Sequence, residues 1–294
     1  MTDKFAPLNL SPDEIIAFTP EWEGERFADG RPRVPDDIIE RMKAVTITQG
    51  WAVLRRLEHP DQFEGSWMST QPGKVLVGRA VTTVYMPLRP SLKTLIAEKA
   101  HAAGCIGGQV SWPIDTLVPG DVYVADILGE IDYGAVIGDN LATSILAKTG
   151  NGVVHDGSIR DLEGVQELED FVGLFRNFNP LACTRRVTLM GINPPVRIGQ
   201  VTVMPGDVVL AKDHGVLFIP PHFAEQVVVE SEIALVRDMF GKQCLAEGRY
   251  TPGEIDRRWE SHIEEDFRGW VQEHIDEVPA PVETMRAYLA GEIS

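Results

Sequence analysis

The chain has 294 residues, 24% of them charged and 44% hydrophobic, an ordinary globular balance that allows one large domain with terminal extensions. Lys and Arg number 27 against 44 Asp and Glu, a formal net charge of −17 that repels nucleic-acid phosphates and anionic membrane surfaces. No apolar run approaches the roughly 18 residues that cross a bilayer, so neither nucleic acid nor membrane is an expected partner.

The first residues, MTDKFAPLNLSPDEII, lack the basic and apolar regions of a secretory signal. Cys105, Cys183 and Cys244 are far apart and form no CxxC pair, which argues against a disulfide framework or a zinc cluster. A cytoplasmic location is expected.

Residues 1–35, rich in Pro, Asp and Glu, read as an arm that packs on something else. Pro35 then opens a helix with Asp36 and Asp37 in its first turn and Ile38, Ile39, Met42 and Val45 at helical spacing. KVLVGRAVTTVYM (74–86) has the β-branched density of a strand, broken by Gly78 and ended by Pro87. A helix over 91–104 closes at Gly104, and GDVYVAD (120–126) is the next strand. NLATSILAKTG (140–150) is helical, and GVVHD (152–156) is a short buried strand entering a turn at Gly157. VPGDVYVAD (118–126) and MPGDVVLAKD (204–213) echo each other, each placing a Pro-Gly-Asp turn before a β-rich run. The second continues through Asp213-His214-Gly215 as a hairpin.

A long helix is expected over 221–240 and another over 250–274, the latter opened by a capping box of Thr251, Pro252 and Glu254. Ile255, Trp259, Ile263, Phe267, Trp270 and Val271 form its apolar stripe, which could dock within the chain or on a partner subunit. The domain reading is an arm (1–35), a catalytic domain (36–240) and a C-terminal helical extension (241–294).

The richest stretch is GDNLATSILAKTGNGVVHDGSIRD (138–161). Gly138 precedes a helix whose first-turn amides and positive dipole end could hold a carboxylate or phosphate. About twenty residues on, Arg160 and Asp161 open another helix. Arg160 suits a planar carboxylate, and Asp161 could hold a water-rich divalent cation. The plain alternative is that Asp139 caps a helix and Arg160–Asp161 is a surface pair. His155 is either a hydrogen-bonded histidine at a strand end or a donor near the substrate.

Five blocks, GKVLVGRAVTTVYMP (73–87), PGDVYVAD (119–126), GDNLA (138–142), GVVHDGSIRD (152–161) and PGDVVLAKDHGVLFIP (205–220), resemble the RraA-like family. That family includes the class II 4-hydroxy-4-methyl-2-oxoglutarate aldolases. The resemblance covers about half of the chain and leaves out residues 1–35 and 241–294. It implies an α/β fold, a swivelling-domain-like α/β/β sandwich, assembled into homotrimers or homohexamers with sites at subunit interfaces. It further implies a Mg²⁺- or Mn²⁺-dependent lyase that cleaves or decarboxylates a small 2-oxo acid through a pyruvate-type enolate. By the same resemblance, Asp161 is the metal ligand and Arg160 binds substrate. Asp139 lies near the metal waters, and the Gly138 turn with the amides of Asn140 and Leu141 receives the carboxylate. A glutamate from a neighbouring subunit is also implied, with Glu230, Glu232, Glu264 and Glu265 as candidates. Two other readings stay open: a non-catalytic ribonuclease regulator, and a sugar-acid dehydratase on the same scaffold.

Overall fold

A computed structural model describes residues 8–129 and 134–293; the first seven residues of the arm lie outside the described residues. The elements begin with α1 (Pro12–Phe18), α2 (Asp36–Met42), α3 (Ile47–Arg56), β1 (Phe63–Glu64), β2 (Met68–Ser69), β3 (Leu76–Pro87), α4 (Pro90–Ala102) and α5 (Trp112–Thr116). The central units follow as β4 (Asp121–Asp126), α6 (Asp139–Thr149), β5 (Val153–Ile159), α7 (Leu162–Gln166) and β6 (Gly173–Phe178). Next come β7 (Val187–Ile192), β8 (Val196–Ile198), β9 (Val201–Val203), β10 (Val208–Lys212) and β11 (Gly215–Ile219). The chain then forms α8 (Ala224–Glu247), α9 (Pro252–Ile255), α10 (Ser261–His274) and α11 (Val282–Ala290).

Nine strands form one mixed sheet in the order β1-β11-β10-β3-β4-β5-β6-β2, with β7 pairing the far half of β3. Strands β3, β4, β5 and β6 are parallel. Alternation along the strands assigns the two faces. Val81, Tyr85, Tyr123, Ala125, Val153 and Phe175 pack with Ala100, Trp112, Ala142, Ile145 and Val165 of helices α4 to α7. On the same side, Val77, Leu210, Leu217 and Ile219 pack against α2, α3 and the first half of α8. Ala80, Val122, Val124, Val154 and Leu174 point the other way, onto the two-stranded β8–β9 sheet. Helices, large sheet and small sheet make the three layers of an α/β/β sandwich.

Three expectations are corrected, two of them by close packing at a glycine. Strand β3 runs unbroken through Gly78, where a Cβ would stand 2.5 Å from the Gly120 carbonyl oxygen and 2.6 Å from Asn151 Nδ2. The glycine serves contact, not interruption. Likewise β5 does not turn at Gly157, whose missing Cβ makes room for Ile127 at 2.8 Å; it continues to Ile159 with a bulge against β6. The single helix expected over 250–274 is two. The capping box forms on α9, which ends at Ile255, and α10 starts afresh at Ser261; between them the Trp259 indole donates to the Ile255 carbonyl at 3.0 Å.

The arm is pinned to the sandwich. Leu10 donates to the Ile192 carbonyl and Ile192 to that of Leu8, while the fully buried Arg31 holds Asp121 with two hydrogen bonds of 2.8 and 3.2 Å. Helix α8 runs unbroken across position 240, its second half joining α10 and α11 in a core of Ile233, Val236, Phe240, Ile263, Phe267 and Met285. The aromatic stripe of α10 is therefore spent within the chain. No helix among the described residues is long and apolar enough to cross a membrane.

Candidate active site

Strand β5 delivers Arg160 and Asp161 to the N-terminus of α6. The approach to α6 lies alongside β5, with Ala135 bridging Ser158 and the Arg160 amide donating to the Ile137 carbonyl at 3.1 Å. Helix α6 begins at Asp139 after Gly138, which offers no side-chain cap; its first intrahelical bond is Ala142 N–H to Gly138 O, at 2.9 Å. The amides of its first turn therefore have no acceptor within the helix. Its far end closes on Gly150 in the left-handed region.

Asp161 itself adopts a left-handed backbone (φ 52°, ψ 44°) ahead of α7, unusual for a side-chain-bearing residue and most tolerated by Asp and Asn. That conformation turns its carboxylate back over Gly138. A Cβ at Gly138 would overlap Asp161 Oδ2 and stand 3.1 Å from its Cγ and 3.2 Å from Arg160 Cγ. Arg160 Nη1 and Asp161 Oδ2 form an ion pair of 2.8 Å, with the two side chains 38% and 37% exposed. Asp139 joins them from the first turn of α6, its carboxylate against Gly164 of α7, where a Cβ would be 3.0 Å from Oδ2. Gly138, Asp139, Arg160 and Asp161 are thus brought to one place.

The Asn140 amide donates to Asp139 Oδ1 at 2.7 Å, so its own neighbour holds it in this structure; Leu141 carries the third first-turn amide.

No group of three or more His, Cys, Asp or Glu among the described residues could cage a metal ion. The donor set at Asp161, one half-exposed carboxylate with Asp139 nearby, instead fits a hard cation that keeps most of its waters. Cys183 lies within electrostatic reach of Arg160, but burial pushes its thiol up to about 12, so it supplies no thiolate nucleophile.

His155 follows neither sequence expectation. It is fully buried, both ring nitrogens are without a hydrogen-bond partner, and its ring meets Tyr123 edge-on at 4.8 Å. Of the four glutamates considered for a neighbour's site, three are paired within the chain: Glu230 with Arg56, Glu232 with Arg41 and Glu264 with Arg237. Glu265 is exposed.

A charge network on the opposite face of the sheet escaped the sequence reading. Arg176 joins Asp156 (2.6 Å) and Glu64 (2.8 Å) and lies 3.7 Å over the Trp67 ring. Its members come from three distant segments, so no local signal marks it.

The family model described as RraA-like, Aldolase/RraA, matches residues 54–218, more than half of the chain and the whole of this site. The chain belongs to the RraA-like family. Among curated relatives of this RraA-like protein, Protein DlpA of Legionella pneumophila is 29% identical over 197 residues, covering 63% of this chain and 28% of its own length. A Halalkalibacterium halodurans protein provisionally named a 4-hydroxy-4-methyl-2-oxoglutarate aldolase is 32% identical over 116 residues, 39% of this chain and 53% of that protein. The match thus spans about a quarter of the first relative and about half of the second.

Solved structures support the RraA-like fold. An uncharacterized Pseudomonas syringae protein superposes with a TM-score of 0.64 at 21% identity, covering 79% of this chain and 98% of that one. Streptomyces coelicolor RraAS2, described as an unusual member of the RNase ES inhibitor RraA protein family, gives 0.61 at 24% identity, covering 72% and 98%.

Proposed function

We propose that this RraA-like chain is a divalent-cation-dependent lyase that cleaves or decarboxylates a small 2-oxo or hydroxy acid. The carrying observation is the Arg160–Asp161 pair folded over Gly138 at the start of α6, which gathers a guanidinium, carboxylates and helix N-terminal amides. Aldolase and regulator names both occur among the family's members. A binding surface would not require this convergence of catalytic groups, which favours the enzyme.

Asp161 would hold Mg²⁺ or Mn²⁺, largely through water. When bound, the cation supplies a Lewis acid that disperses the negative charge left on a pyruvate-type fragment as the carbon–carbon bond breaks. Arg160 orients the substrate by pairing with its carboxylate and polarises the carbonyl that departs. The substrate's 2-oxo carboxylate takes the amides of Asn140 and Leu141 at the positive end of α6. Arrival at Asn140 displaces the Asp139 carboxylate, freeing it to hold a water that carries the proton. Because Arg160 and Asp161 are each more than a third exposed, closure of the site by a second copy in a trimer or hexamer completes the reading.

Incubation of the purified protein with oxaloacetate and a panel of hydroxy-oxo acids, with and without Mg²⁺ or Mn²⁺, tests this. Pyruvate should appear with the metal, stop in excess chelator and vanish in Asp161→Ala. Release that persists in chelator overturns the mechanism. Conversion of a sugar acid to its dehydrated keto acid, without carbon–carbon cleavage, would instead assign the dehydratase reading. Absence of any turnover, with capture of a ribonuclease that survives Asp161→Ala, would assign the regulator.

A further inference from the structure

The two Pro-Gly-Asp turns fold alike but are neutralised differently. In each, the Asp side chain accepts from the amide three residues before it: Val118 N–H to Asp121 at 2.9 Å, and Met204 N–H to Asp207 at 2.8 Å. Asp121 also has a guanidinium, since Arg31 binds both of its oxygens. Asp207 is equally buried, at 2% exposure, yet no Lys or Arg is paired with it among the described residues. It instead faces a cavity of about 420 Å³ between the arm and the β10–β11 end of the sandwich, a volume in the range of small-ligand sites.

The cavity is rich in acceptors. Gln62 lines it and has an Oε1 that is buried without a partner, and Glu21 lines it as well. His59 also lines it, with Nδ1 donating to the Leu57 carbonyl at 2.7 Å, since a carbonyl can only accept. Phe18, Trp22 and Phe223 add aromatic walls. The nearby Arg26 is not part of the lining; its guanidinium is spent on Thr19, Trp22 and Gly30. A buried carboxyl with no cationic partner, an amide oxygen without a partner and π-faces together favour a donor that carries positive charge and draws the proton off the acid.

We propose that this cavity binds a small primary amine with an apolar body, its ammonium taking at Asp207 the place that Arg31 takes at Asp121. The site shares no residue with the Arg160–Asp161 pair, so it stands apart from the lyase reading.

Calorimetric titration at pH 7 with 2-phenylethylamine, 2-phenylethanol and 3-phenylpropanoate tests the charge requirement on one apolar body. The amine should bind one to one, about tenfold or more tighter than the alcohol, and the carboxylate not at all. Binding should release a proton, read as a dependence of the heat on buffer ionisation enthalpy, because burial raises the Asp207 carboxyl to about 8 and the ammonium drives it to ionise. Asp207→Asn, which keeps the turn's acceptor, should lose about tenfold or more. Gln62→Leu should weaken binding several-fold without altering proton release. Equal binding of alcohol and amine, an unaffected Asp207→Asn, or no amine binding at millimolar concentration overturns the proposal.

Discussion

Asp161 leans across Gly138 so closely that the smallest added side chain would collide with its carboxylate. The glycine's own backbone is extended (φ −132°), so alanine meets no conformational penalty there, only the contacts with Asp161 and Arg160. Gly138→Ala should therefore fold, with a loss within the roughly 1–3 kcal/mol of a local overpacking. Metal-dependent pyruvate release should drop about a hundredfold, as displacement by an ångström commonly does. Thermal melting beside initial rates checks this; full activity in a variant with native stability would separate Asp161 from the chemistry.

His155 should make the protein acid-sensitive. Burial without a partner drives its pKa from 6.5 down to about 3, so the folded state refuses a proton that the unfolded chain accepts. Stability is then unaffected above pH 6.5 and falls as pH drops from 6.5 toward 3, by up to about 1.4 kcal/mol per unit. His155→Phe, similar in shape, should gain about 2 kcal/mol over the natural protein at pH 5 and lose that advantage at pH 8. Urea unfolding at the two pH values decides it, and an equal difference at both would show that packing, not protonation, governs this position.

Sequence pattern carried the layers and the site further than it carried the glycines. The strands were legible in the β-branched density of VLVGRAVTTVYM and GDVYVAD, and the layers through the family resemblance; which residues face the helices, such as Val81, Val77 and Tyr123, and which the small sheet, such as Ala80, Val122 and Val124, came with the structure. The proximity of Arg160 and Asp161 to the Gly138 turn was legible because motif blocks from neighbouring strands end together. Gly78 and Gly157 were read as breaks, since a glycine kept for close approach to a distant backbone or side chain has the same local signature as a turn. The state of His155 was hidden too: whether a buried imidazole finds a partner depends on what the third dimension sets beside it, here the ring of Tyr123.

Asp207 offers a second pH signature, of opposite sign. Burial raises its carboxyl from 3.8 to about 8, so between those values the folded state keeps a proton that the unfolded chain has released. Stability from this group is complete below pH 3.8 and declines as pH rises toward 8. Asp207→Asn retains an oxygen for the Met204 amide and carries no charge to bury. It should melt higher than the natural protein at pH 7, by the equivalent of a few kcal/mol, and show almost no difference at pH 4. A lower melting temperature at pH 7 would mean that the ionised carboxylate is itself stabilising.

Arg31 tests the companion turn. Its guanidinium is 1% exposed, bonded to both oxygens of the fully buried Asp121 and to Asp29 at 2.7 Å, and it ties the arm to the start of β4. Arg31→Met keeps much of the side-chain volume but strands the Asp121 carboxylate, a loss of about 3–5 kcal/mol for a buried pair broken on one side. Removing the stranded charge as well should recover part of it, because Asp121→Asn still accepts from the Val118 amide. The double variant should therefore be more stable than Arg31→Met alone. Urea midpoints for the two singles and the double close the cycle. If the double variant proves as unstable as the sum of its parts, the pair is not coupled, and the arm is held by Leu8, Ile15 and the Ile192 bridge instead.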